Sequence, residues 1–375
     1  MKRLGRGWAI LSSLIFATVL VLPARASEDQ ITLHTASFEG ASALGSSVTT
    51  ILNLQIWQTL RSAPTPNPTH RSFGKGVIVW GRPLARYSHE DAESRAKEGS
   101  LLAQFVLWGK VYEYGKGAIA QTNLSIPAYY DFREAHPERW LVEVKSPGGV
   151  VRFSADIPQR RYSFEPIVLA GELISRYSHP GALQIYSGPG SQEVIGAIGD
   201  EFTALEHRGG MVKVRSGSKV GWVRLPELSE NRSEVVDFVG GIVRVFRADW
   251  GGAELLMDRV IKNERAPNEL RTDAYLYKGL AAAQQNRSSE EAFLEALKLS
   301  PYAKRCVVYA VMGKLSDYRL AQLSSTDAGK QRALLQDAGR LLREHLYLFG
   351  PGEDWVLDVS RGLEKLGAPL ATADR

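Results

Sequence analysis

Residues 183–228 read LQIYSGPGSQEVIGAIGDEFTALEHRGGMVKVRSGSKVGWVRLPEL, and this stretch decides the fold because short apolar runs in it are cut by glycine turns. Apolar residues recur at Leu183 and Ile185, Val194 and Ile195, Phe202 and Leu205, Val212 and Val214, then Val220, Trp222 and Leu225. Between them stand Ser187-Gly188-Pro189-Gly190, Gly199-Asp200, Arg208-Gly209-Gly210 and Ser216-Gly217-Ser218. Runs of this length bounded by turn residues are strands, and several of them at close spacing close most easily into a small barrel. A barrel this small has little room for an active site. The stretch therefore predicts a recognition module, or a spacer that serves only as a docking wall.

Toward the amino terminus the signals alternate. Ile31 to Phe38 reads as a strand, and Ser46 or Ser47 as the cap of a helix through Arg61 with Val48, Ile51, Leu52, Ile56, Trp57 and Leu60 on one broad face. After Pro64, Pro66 and Pro68, the run Val77-Ile78-Val79-Trp80 has the continuous apolar character of a strand covered on both faces. Ser88 and Asp91 are spaced as in a capping box that opens a helix toward Ala103. Phe105–Glu113 and Ala118–Ile126 form a hairpin around Tyr114-Gly115-Lys116-Gly117. A second hairpin joins Leu141–Val144 to Val150–Phe153 through Ser146-Pro147-Gly148-Gly149, and it could complete the first domain or lead into the barrel.

Beyond Arg232 the period becomes helical. Ala253–Ile261, Leu270–Gln285, Ser289–Leu299, Ala303–Leu323 and Lys330–Leu348 carry apolar residues at helical spacing, with Pro267, Pro301 and Pro351 near the breaks. The predicted class is thus α+β and multidomain: an αβ domain with hairpins over 27–160, an all-β barrel over 161–232 and a helical region over 233–375.

The first 26 residues read as an export signal. Lys2, Arg3 and Arg6 precede a mostly apolar stretch from Trp8 to Leu22, and Ala24-Arg25-Ala26 supplies a small-x-small cleavage pattern. The stretch is short for a membrane span, although an uncleaved anchor is the alternative. The chain has 46 basic and 41 acidic residues; the signal holds four basic and no acidic ones, which leaves 42 against 41. Most of the basic excess therefore belongs to the signal, and no nucleic-acid partner is expected. No integral span is expected after cleavage.

Three resemblances follow from these residues. Residues 183–228 resemble a bacterial Src-homology-3 domain through Ser187-Gly188-Pro189, Val194-Ile195-Gly196, Gly199-Asp200, Gly209-Gly210, Val212-Lys213-Val214 and Gly221-Trp222-Val223. They depart from it at Met211, where the family has an aromatic residue, and at Tyr186, where it often has arginine. The first hundred residues after the signal resemble the αβ domain of the TolB amino terminus and of curli-secretion-type assembly lipoproteins, chiefly through Ala103–Val111 and Gln121–Ile126. Tyr275, Gly279, Ala282, Ala292, Phe293, Ala296 and Pro301 resemble a tetratricopeptide repeat, with a small helical bundle as the alternative. Together these imply a periplasmic, non-enzymatic scaffold whose partner is an envelope protein or peptidoglycan. Its expected contact residues lie around Tyr186, Met211 and Trp222.

The search for chemistry yields no catalytic, cofactor-binding or metal-binding residue. Gly40 and Gly45 with Ser46-Ser47 stand where a phosphate loop would, but the lysine that should follow the second glycine is missing. The seven histidines are scattered singly, without the i, i+4 spacing of a helical metal site. Cys306 is the sole cysteine and reads as a buried structural thiol. Glu290-Glu291 and Glu353-Asp354 read as helix starts, and no Gly-x-Ser-x-Gly elbow occurs. Tyr129-Tyr130 and Trp140 could bind sugar or peptide or lie in a core. A peptidoglycan-modifying enzyme targeted by the barrel is the alternative to the scaffold.

Overall fold

The computed structural model describes residues 31–62, 78–81, 83–98, 103–128, 139–176, 183–198, 202–208, 211–224, 233–324, 327–350 and 354–368. The signal, the proline link at Pro64–Pro68 and Tyr129-Tyr130 lie outside the described residues. The chain is mixed α/β, with a sheet region first and a helical region last.

It opens with β1 (Leu33–Ala36), α1 (Ser42–Ser62), β2 (Ile78–Gly81), α2 (His89–Ala96), β3 (Phe105–Tyr114) and β4 (Gly117–Ser125). β1 runs parallel to both β2 and β3, and β3 turns antiparallel into β4 through Gly115, whose φ is +59°. All four residues of β1 are buried, as a central parallel strand with helices on both faces requires. α1 begins at Ser42, before the expected cap. Ser47, Thr49 and Thr50 instead donate hydroxyl hydrogen bonds to the carbonyls four residues back, at Ala43, Gly45 and Ser46, which satisfies them inside the helix. α2 starts where expected, with the Ser88 hydroxyl accepting from the Asp91 amide at 3.2 Å, and it ends at Ala96, short of Ala103.

β5 (Arg139–Ser146) and β6 (Gly149–Asp156) form a two-stranded sheet of their own. β7 (Arg161–Ser163) and β8 (Ile167–Leu169) both pair with β4, and α3 (Gly171–Arg176) follows. The glycine-punctuated stretch makes β9 (Gln184–Tyr186), β10 (Val194–Ala197), β11 (Thr203–Arg208), β12 (Met211–Ser216) and β13 (Lys219–Arg224), within the predicted apolar runs. Their antiparallel pairings run β10-β9-β13-β12-β11, and Thr203 opposite Val79 joins β11 to β2. Among the described residues this is an open path that continues the first sheet, and closure into a separate barrel is not among the pairings.

The helices are α4 (Glu234–Phe246), α5 (Trp250–Lys262), α6 (Asn268–Gln284), α7 (Glu290–Leu299), α8 (Lys304–Leu323), α9 (Ala328–Phe349) and α10 (Asp354–Lys365). From α4 to α9 each lies against the next, and α6 touches both α4 and α8. Phe293 sits between Gly279 and Gly313, where a Cβ on either glycine would fall inside contact distance of its ring. No helix among the described residues is long and apolar enough to cross a membrane.

Sheet and helices share one core. α4 packs on α1, and Phe105 of β3 meets Phe246 of α4 with ring centroids 4.6 Å apart. Tyr162 of β7 reaches Phe238 of α4 at 5.0 Å. The β5–β6 hairpin joins the helical region: Trp140 stacks near Phe293 and Tyr309, at 5.6 and 5.7 Å, and α10 covers Phe153 and Val151 through Gly362. Its alternation explains this, since Trp140, Val142, Val144, Val151, Phe153 and Ala155 are buried while their neighbours face out.

Candidate functional site

The expected contact residues come onto one face. Lys213 stands opposite Trp222, and Trp222 opposite Tyr186, so their side chains share a side of the sheet with Met211 two residues along. The Lys213 ammonium lies 5.9 Å from the Trp222 ring centroid. Trp222 and Met211, however, are buried, at 7% and 8% exposed. The loop after β9 folds over Met211, whose sulfur receives the Gly190 amide at 3.4 Å. Only Tyr186 is partly open, with its hydroxyl donating to Gln184 at 3.2 Å. Two of the three expected contact residues are therefore buried, and the turn after β9 lies against Met211.

An open groove lies elsewhere. A groove of about 1050 Å³ runs between β6, the first turn of α8 and the length of α10. Every residue from Val150 to Gln159 lines it. Because neighbouring strand residues point to opposite faces, an unbroken run of lining residues means that the groove follows the backbone edge of β6. Its far wall combines apolar Val308, Trp355 and Val359 with cationic Lys304, Arg361 and Lys365. Asp156 and Asp358 also line it, the latter 3.7 Å from Arg361.

Two polar groups of the lining, Arg305 and Tyr309, are tied down. Arg305 meets the buried Asp273 carboxylate at 2.5 Å, and Tyr309 donates to the Asp156 carbonyl at 2.8 Å. Burial pushes the Asp273 carboxyl up to about 6 in spite of the opposing Arg305 charge. Burial also pushes the Cys306 thiol up to about 12, so it remains protonated at neutral pH and is a poor nucleophile. Among the described residues no three of His, Cys, Asp and Glu are grouped as a metal site. His34 and His345 are buried in different parts of the core, and His89 meets the Ser125 hydroxyl at 2.8 Å.

The groove residues were not singled out by sequence. Arg361 and Lys365 are four apart on a helix, which places them on one face, but nothing local says that the face looks onto a strand edge. Comparison with protein-family models, curated proteins and solved structures finds no match to this chain.

Proposed function

We propose that this chain is an exported, periplasmic envelope protein that acts by binding as a scaffold, and that the β6 groove is where its partner sits. The partner is a segment of another envelope protein or of peptidoglycan. The observation that carries the reading is the groove itself: it is open, it follows a strand edge, and its far wall mixes apolar and cationic side chains, the form of a site that holds an extended chain. The export signal, and the likeness of 183–228 to a bacterial Src-homology-3 domain, support the envelope setting. In this reading β9–β13 form that domain as a structural wall fused to the first sheet, because Met211 and Trp222 are covered.

Incubating the purified protein, from Ser27 onward, with peptidoglycan and with crosslinked envelope extract tests the reading. Retention that is lost in the double variant Arg361→Glu, Lys365→Glu is the expected result. Release of muropeptides would assign catalysis instead, and retention indifferent to both substitutions would move the site away from the groove.

A further inference from the structure

The β5–β6 hairpin has two edges, and the protein treats them differently. Its two-residue turn closes with Ser146 opposite Gly149, so the mutually bonded pairs are 146/149, 144/151, 142/153 and 140/155. The backbone groups of residues 139, 141, 143 and 145 then point out of the β5 edge, and those of 150, 152, 154 and 156 out of the β6 edge. Two contacts check this parity. Lys145 donates its amide to the Gln322 side-chain oxygen at 3.1 Å and receives the Gln322 amide on its carbonyl at 2.8 Å, so a glutamine imitates a strand on β5. On β6 the Asp156 carbonyl accepts from Tyr309 at 2.8 Å.

Above Asp156 the β6 edge opens into the groove. Among the described residues, the outward backbone groups of Val150, Arg152 and Ser154 have no partner. A sheet edge left open beside a cavity is a template for another strand. The opposite wall fixes the chemistry of that strand. In an extended chain alternate side chains point to opposite sides, so one set meets a wall that carries both apolar Val308 and Trp355 and cationic Arg361 and Lys365, and the other set turns away from it.

We propose that β6 takes a third strand: an extended protein segment that carries apolar and acidic residues and pairs with the backbone of Val150, Arg152 and Ser154. This rests on the groove reading above and selects a protein segment over peptidoglycan.

The probe is a fluorescein-labelled decapeptide of alternating glutamate and valine, with two companions N-methylated at every glutamate or at every valine. In an added strand only alternate amides face β6. Fluorescence polarisation should therefore show the parent peptide binding, one methylated peptide weakened at least tenfold and the other close to the parent. Ser154→Pro removes an outward donor that the β5 ladder does not use, and it should weaken the parent peptide at least tenfold with unchanged circular dichroism. If that variant misfolds, the methylated pair on the unaltered protein decides alone. Equal binding of the two methylated peptides, or no binding of the parent, would overturn strand addition. Envelope capture that still depends on Arg361 and Lys365 would in either case leave the groove reading standing.

Discussion

His34 is buried at 1% exposure on the central strand, and among the described residues neither ring nitrogen has a hydrogen-bond partner. Burial, aided by the Arg95 charge, lowers its pKa from 6.5 to about 4. The unfolded chain takes up the proton below about 6.5 and the folded one does not until about 4, so this residue costs stability as pH falls between those values. At about 1.4 kcal/mol per unit the full effect is about 3 kcal/mol. His34→Leu should remove it: the difference in urea unfolding between wild type and variant should shift by about that amount from pH 7 to pH 4. A constant difference would mean that folding leaves the proton affinity of His34 unchanged. Asp273 works in the opposite direction, since a carboxyl raised to about 6 loses stability as pH rises from about 4 to about 6. The two slopes oppose each other in the parent protein, which is why the variant is needed to see either.

Arg244 is a second buried group at this scale. It is fully buried, it pairs with Asp249 at the start of α5, and it donates to the Leu60 carbonyl near the end of α1. Removing one member of such a pair leaves the other charge uncompensated, so Arg244→Ala should cost about 3–5 kcal/mol in urea unfolding. A loss below about 1 kcal/mol would show that the pair does not clamp the two helices.

At the scale of elements, the Gln322 plug on β5 gives a contained test. Gln322→Ala should speed amide exchange at Lys145 sharply and cost about 1 kcal/mol, because one neutral hydrogen-bonding partner is lost at an accessible edge. Unchanged exchange at Lys145 would contradict the assigned parity of the hairpin. Elements were legible in the sequence wherever local chemistry decides them: glycine turns bounded β9 to β13, and the Ser88 hydroxyl marked α2. They were illegible where tertiary partners decide. The start of α1 was misplaced because hydroxyls that resemble caps bond back inside the helix. α4 is absent from the helices read by spacing: its polar face is only Glu234, Asp237 and Arg244, and the fold buries Val235 to Phe246 throughout, that face included.

For the whole molecule, the apolar core is continuous from Leu33 in the first sheet to Leu363 in the last helix. Three segments that read as separate domains share it. The joint of β11 with β2, the packing of α4 on α1 and the docking of the hairpin on α8 and α10 all link parts distant in sequence. The turn Ser146-Pro147-Gly148-Gly149 marks the hairpin in the sequence, but nothing local says which element covers it, so the groove that this docking creates was out of reach. The described core should unfold in one calorimetric transition, and a chain ended at residue 232 should lose the cooperative melt. Two separate transitions would return the molecule to independent domains.

The open β6 edge can be tested most directly by residue-resolved amide exchange across 149–156 in the free protein. The account predicts alternation: Val150, Arg152 and Ser154 exchange quickly, while Val151, Phe153 and Ala155 are protected by the β5 ladder. Uniform protection along the strand would mean that the edge is already covered and cannot receive a partner.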